Sequence, residues 1–149
     1  MADPRAVLER ARTVAVVGMS TEPETPARHV PLQLQAAGFR VIPVNPNAEE
    51  IAGERAYPRL TDVPEPVDVV EVFRPSKEAP GIARDAVAIG AKALWLQLGL
   101  RSDEARQIAE SAGLDYVEDR CMGIEQRRYH IVKAAGADPR EGQGRQDGD

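Results

Sequence analysis

Five short polar segments each follow an apolar run: Gly18-Met19-Ser20-Thr21, Asn45-Pro46-Asn47, Phe73-Arg74-Pro75-Ser76, Gln97-Leu98-Gly99 and Glu118-Asp119-Arg120-Cys121. Their residue types suit the binding of a phosphorylated nucleotide. Gly18 permits a tight turn, Ser20 and Thr21 add hydroxyls, and the amides opening the next helix carry a positive partial charge suited to phosphate. A plain β-turn uses the same residues. The full G-x-G-x-x-G dinucleotide fingerprint is absent, because Ser20 and Pro23 stand at its second and third glycine positions.

The second segment narrows the nucleotide. Nicotinamide dinucleotide sites place Asp or Glu there to hold both ribose hydroxyls. This chain has Asn45 and Pro46, which also serve as a turn pair. A phosphorylated ribose repels a carboxylate, so NADP and coenzyme A both stay open. Arg28, ahead of the first long helix, and Arg74, directly after the third strand, offer forked guanidiniums to a pyrophosphate or ribose phosphate. Arg74 is the stronger candidate for standing at a strand end. Phe73 offers an apolar face to a purine, or packs in the core.

Catalytic pairs are lacking. His29 and His130 have no spacing that joins them to a nucleophile or to a metal-binding carboxylate, and Ser20 has no G-x-S-x-G context. Cys121 follows Asp119-Arg120, and an adjacent arginine lowers a thiol pKa. It is read either as a reactive thiol at a pocket mouth or as a small buried hydrophobe.

The elements that must position these segments alternate in type. Asp3-Pro4 reads as a cap and first residue of a short helix ending near Arg12. Strands are expected over 13–18, 39–44, 68–73, 92–96 and 114–117. Helices are expected over 29–37 with Pro31 in the first turn, within 76–89, over 103–112 with Ser102 as N-cap, and over about 123–134. Residues 48–67 read as irregular. Short apolar strands alternating with helices imply a parallel sheet covered on both faces. The expected fold is α/β: a Rossmann-like, doubly wound sheet of about five strands in three α/β/α layers, with ligands beyond the carboxyl ends of the strands.

Composition sets the outer bounds. The 149 residues suit one domain, expected over 1–135. The segment 136–149 is too poor in apolar residues to order itself and is expected to be a disordered tail. One cysteine excludes an internal disulfide framework. A net charge of −5 argues against nucleic acid as a partner. No apolar run is long enough to cross a membrane. The charged N-terminus lacks an apolar signal core, which makes the cytoplasm the expected compartment.

Six segments in order, TVAVVGMS, GFRVIPVNP, GERAYPRL, DVVEVFRPS, GAKALWLQLG and AGLDYVEDRCMGIE, resemble the small stand-alone CoA-binding proteins. These are similar to the N-terminal CoA-binding domain of the succinyl-CoA synthetase alpha subunit. The resemblance covers about residues 10–130 and rests on the combination of PVNP, VFR, WLQLG and DRC. It implies that coenzyme A or an acyl-CoA lies across the strand ends. By that resemblance Gly18, Met19 and Ser20 belong to the loop receiving the pyrophosphate, while Asn45 and Pro46 lie near the adenosine. Phe73 and Arg74 lie beside the nucleotide, and Gln97 and Gly99 at the fourth strand end. Asp119, Arg120 and Cys121 then face the pantetheine arm. Ala27 stands where relatives often have Ser. The chain also lacks the synthetase's second domain and any counterpart of its phosphorylated histidine. The expectation is therefore a non-catalytic binding or sensing module with a small-molecule ligand and no assigned protein partner. The alternatives are an NADP-binding or acyl-CoA-ligase-type subunit that needs a partner chain, and a redox protein forming a Cys121–CoA mixed disulfide.

Overall fold

Along each strand, side chains alternate between two apolar layers, and this alternation decides which helices cover which face. The structure, a computed structural model, describes residues 1–134; the expected disordered tail, 136–149, lies outside the described residues. The strands of the main sheet are β1 (Thr13–Val17), β2 (Arg40–Val44), β5 (Val69–Val72), β6 (Ala93–Leu96) and β7 (Asp115–Val117). They pair in the order β2-β1-β5-β6-β7, all parallel.

Val14, Val16, Val69, Trp95 and Val117 point to one face, where Leu8, Leu34 and Met122 meet them. Those three come from α1 (Pro4–Arg10), α2 (Pro26–Ala36) and α5 (Met122–Arg128). Ala15, Val70, Val72, Leu94, Leu96 and Tyr116 point to the other face. There α3 (Ala79–Ala88) and α4 (Asp103–Ser111) present mostly alanines, including Ala83, Ala86, Ala105 and Ala109, so the two helices lie close to the sheet. The result is the expected three-layer, doubly wound, Rossmann-like fold. The chain leaves β1 for β2 on one side and returns to β5 on the other, so the switch point lies between the carboxyl ends of β1 and β5.

Local chemistry explains the element ends. Asp3 accepts the Arg5 amide at 3.1 Å, and Ser102 accepts the Ala105 amide at 3.0 Å, as N-caps do. Pro43 is tolerated because β2 is an edge strand and bonds Tyr57 through its carbonyl on the outer side at 3.0 Å. The segment expected to be irregular contains a two-stranded hairpin, β3 (Glu50–Ile51) and β4 (Glu54–Arg55), and a 3-10 turn at Leu60–Asp62. Arg40 holds this region down by reaching Glu54 at 2.7 Å and Glu65 at 3.1 Å. Strands of two residues carry too little periodicity to be seen in a sequence.

Two helices differ from expectation. Helix α5 stops at Arg128 rather than near 134, because His130 adopts a left-handed conformation with φ 54°. The following residues form a strap in which Lys133 N donates to Ala37 O at 2.7 Å and Lys133 Nζ to the Leu8 and Glu9 carbonyls at 2.8 Å. Gly38 makes room for it, since a Cβ there would lie 2.3 Å from Lys133 O.

Helix α2 begins at Pro26 rather than His29, because Thr25 is extended and Pro26 suits the first helical position. Pro31 therefore stands inside the helix rather than in its first turn. It has no N–H to give to the Ala27 carbonyl four residues back. Ser20 N takes that carbonyl instead, at 3.1 Å, and so ties the loop after β1 to α2. Replacing Pro31 by Ala restores a competing donor. Hydrogen exchange at the Ser20 amide should quicken by roughly fivefold, the equivalent of about 1 kcal/mol of hydrogen bonding; unchanged protection would show that the tie does not depend on the proline.

Candidate functional site

At the switch point a side chain on residue 18 would have nowhere to go. Gly18 has φ +90°, and a Cβ there would lie 2.9 Å from Arg74 Cδ and 3.0 Å from Phe73 O. Glycine lets the end of β1 lie directly against the end of β5. The loop after β1 is then fastened from three sides. Ser20 N bonds Ala27 O, Ser20 Oγ accepts the Glu22 amide at 2.9 Å, and Asn45 Nδ2 donates to Met19 O at 2.9 Å.

Two clefts open over this junction. A polar cleft of about 750 Å³ lies between the β1 loop, the end of β2 and α3; Gly18, Ser20, Asn45, Arg59, Leu60 and Glu78 are among its walls. An apolar cleft of about 710 Å³ lies between α2, α5 and the ends of β5 and β6, with Val30, Phe73, Leu98, Leu100, Cys121 and Ile124 along it. Thr25, Ala27 and Arg74 line both, so the two clefts meet at the N-terminus of α2 beside the Arg74 guanidinium. No side chain caps that terminus, because the Thr25 hydroxyl donates to Glu22 O at 2.9 Å instead. An uncapped helix start with its positive partial charge, next to a guanidinium, is a place for an anion. Arg74 is held meanwhile by Glu78, through Nε at 3.2 Å and Nη2 at 2.8 Å. That contact holds the Glu78 carboxyl below the usual carboxylate range.

The residues singled out from the sequence fall into distinct places. Gly18, Ser20, Asn45, Pro46 and Arg74 border the polar cleft. Met19 borders it only through its backbone, as its side chain is wholly buried among core residues. Phe73 lines the apolar cleft together with Gln97 and Cys121. Arg28 is turned onto the loop, where Nη1 donates to Thr21 O at 3.0 Å. Gly99, Asp119 and Arg120 form a separate brace between the β6 and β7 ends. Asp119 accepts the Gly99 amide at 2.7 Å and pairs with Arg101; these bonds, the amide foremost, hold its carboxyl below the usual range. Arg120 pairs with Glu125 at 3.7 Å, and its carbonyl accepts Trp95 Nε1 at 2.9 Å.

Sequence reading passed over Arg59, Leu60, Ile82 and Asp85, all of which border the polar cleft. The Glu78, Ile82, Asp85 spacing is helical and marked one face of α3 towards the cleft. Nothing local marked Arg59, which arrives through the isolated parallel bridge between Val44 and Tyr57. The end of β2 brings no acid to the polar cleft, but Glu78, just ahead of α3, and Asp85 on it do.

Beneath the apolar cleft lies a buried acid. Glu71 is fully buried on β5, in register with Val16 and Trp95. Gln97 Nε2 donates to Glu71 Oε2 at 2.5 Å, and Gln97 Oε1 accepts the amide of Met122, the first residue of α5, at 3.3 Å. Glu71 Oε1 is buried without a partner among the described residues. Burial pushes the Glu71 carboxyl up to about 8, with the Gln97 bond opposing the rise. The folded protein therefore keeps a proton that the unfolded chain releases near 4.5. This contribution to stability is full below that value and is lost as pH climbs to about 8, at a slope of up to about 1.4 kcal/mol per pH unit. Glu71→Gln stays neutral throughout and should remove the slope. Urea unfolding at about pH 5 and about pH 8 should show the wild type losing more stability than the variant; parallel losses would assign the proton elsewhere.

The comparisons with known proteins agree with this geometry. The family described as CoA binding domain matches residues 12–127. The Bacillus subtilis (strain 168) protein YneT is 35% identical over 123 residues, covering 83% of this chain and 91% of that one. A solved structure from Thermus thermophilus, cell-free ID.343, is 38% identical with a TM-score of 0.81, covering 86% of this chain and 99% of that one. The ADP-forming acetate–CoA ligase II of Archaeoglobus fulgidus is 31% identical over 101 residues, which are 66% of this chain but 15% of the ligase. No helix among the described residues is long and apolar enough to cross a membrane. A parallel doubly wound sheet and a family match over most of the chain converge: this protein belongs to the CoA-binding domain family, whose ligand is coenzyme A, and is similar over part of their length to ADP-forming acetate–CoA ligases.

Proposed function

We propose that the protein binds coenzyme A, or an acyl-CoA, along the two joined clefts as a binding or sensing module that performs no chemistry of its own. The observation that carries this reading is the junction of a polar and an apolar cleft at the uncapped start of α2 and Arg74. Coenzyme A has the same division: a phosphorylated adenosine, a pyrophosphate and a long, weakly polar pantetheine arm. The adenosine fits the polar cleft, with Leu60 and Ile82 offering apolar contact to the base. The pyrophosphate fits the junction, where helix amides and a guanidinium favour negative charge. The arm fits the apolar cleft and brings its sulfur towards Cys121. A nicotinamide dinucleotide would place a polar, charged ring in that apolar cleft, which favours coenzyme A over NADP.

Arg74 is about half exposed and its partner Glu78 is similarly so, and pairs of this kind add little to stability. Arg74→Ala should therefore fold normally. Its affinity for coenzyme A in calorimetric titration should fall by roughly 10- to 100-fold, the cost of losing hydrogen bonds to a charged group. Unchanged affinity would remove Arg74 from the site. A wild type that binds NADP more tightly than coenzyme A would overturn the assignment of the ligand.

A further inference from the structure

The polar cleft holds a second guanidinium with no structural employment of comparable strength. Arg59 reaches the cleft because residue 57 runs alongside the end of β2. Tyr57 N donates to Pro43 O at 3.0 Å, Asn45 N donates to Tyr57 O at 2.9 Å, and Val44 and Tyr57 form a parallel bridge. In doubly wound nucleotide-binding domains the end of the second strand is where the ribose is addressed, by a carboxylate on its hydroxyls or by a nearby arginine on its phosphate. Here Asn45 occupies the strand end, and its amide makes one bond at each end. Nδ2 holds Met19 O at 2.9 Å and Oδ1 holds the Asn47 amide at 2.7 Å. Asn45 fastens the loops after β1 and β2 together, keeps one N–H and one lone pair, and carries no charge for a ribose phosphate.

Arg59 is differently placed. Its side chain is 77% exposed, and its ion pair with Asp62 uses Nε at 3.5 Å, a long contact of the kind that contributes little. The outer fork of the guanidinium is thus cheap to reorient. Arg74, the other cation on the cleft wall, is gripped at two points by Glu78 and stands where the clefts join. Of the acids along the cleft, Glu78 is matched by Arg74, while Asp85 on α3 makes the helix side the less favourable one for a phosphate. A ligand with a pyrophosphate and a separate ribose phosphate meets two cations at two separate places.

We propose that Arg59 is the specificity-determining residue of the nucleotide cleft, reading the 3′-phosphate monoester on the ribose of coenzyme A through its forked guanidinium. This rests on the coenzyme A reading above. A phosphate monoester carries between one and two negative charges at neutral pH and accepts the two-point geometry that arginine presents.

Calorimetric titration of coenzyme A and dephospho-coenzyme A into the wild type, Arg59→Ala, Arg59→Lys and Arg74→Ala separates the roles. The wild type should prefer coenzyme A by about tenfold or more, the scale of a charged hydrogen-bonded pair. Arg59→Ala should lose that preference by weakening only coenzyme A, with dephospho-coenzyme A unchanged. Arg59→Lys should recover part of it through charge without the fork, and Arg74→Ala should weaken both ligands alike. A coenzyme A to dephospho-coenzyme A ratio that is the same in the wild type and Arg59→Ala overturns the proposal, and so does equal weakening of both ligands by Arg59→Ala. Failure of the wild type to bind either ligand overturns the coenzyme A reading itself, an outcome distinct from a lost preference.

Discussion

The ends of β1 and β5 approach so closely that a Cβ at residue 18 would press on the Phe73 carbonyl and the Arg74 side chain, and the site is arranged around that contact. Because residue 18 is glycine with a positive φ, the chain turns off β1 directly beside Phe73 and Arg74. The turn sends the loop towards α2, where Ser20 finds the carbonyl that Pro31 leaves open. It also leaves Met19 O within reach of Asn45 on β2. One backbone constraint thus places the β1 loop, the start of α2 and the Arg74 side chain around a single point. The two clefts share that point because Thr25 and Ala27 at the start of α2 and Arg74 at the end of β5 line both.

The clefts differ in chemistry because different layers wall them. The apolar one is bounded by α2 and α5, whose inner faces continue the core layer of Leu34, Trp95 and Met122. The polar one is bounded by α3 with Asp85 and by Glu78 just ahead of it, and by the loop carrying Arg59. Glu71 belongs to the first layer and is an exception within it. Its neighbours in register are Val16 and Trp95, and its one side-chain hydrogen bond leads through Gln97 to the first amide of α5. A buried acid so connected stays neutral below about pH 8, because no opposite charge among the described residues offsets the loss of water.

Much of the scaffold was legible in the chain. The runs ending at Val17, Val44, Val72, Leu96 and Val117 are short, apolar and rich in β-branched residues, so they read as strands buried on both faces. Asp3-Pro4 and Ser102 read as helix starts because their side chains act on amides two or three residues away. What failed was non-local. The start of α2 turned on Thr25 being extended, and the end of α5 turned on the contacts of the strap with Ala37 and Gln126. The hairpin at 50–55 is held by Arg40 from another strand. Met19 follows the strand-ending glycine and looked like a loop residue, yet its side chain turns inward and packs in the first layer.

The sequence by itself determined the order of strands and helices, and the polar residues that would stand at the strand ends, because propensity, capping and hydrophobic alternation act over a few residues. It also carried the family resemblance, since that lies in the succession of segments. Only the tertiary structure decided which of those strand-end residues face the clefts and which brace one another. Gln97 and Cys121 came to the apolar cleft, Gly99, Asp119 and Arg120 to the brace beside it, and Arg59 to the polar cleft by a bridge spanning residues 44 and 57. Those assignments depend on which loops lie side by side once the sheet has closed its register. No local interaction encodes that, because the contacts that set it join residues far apart in the chain.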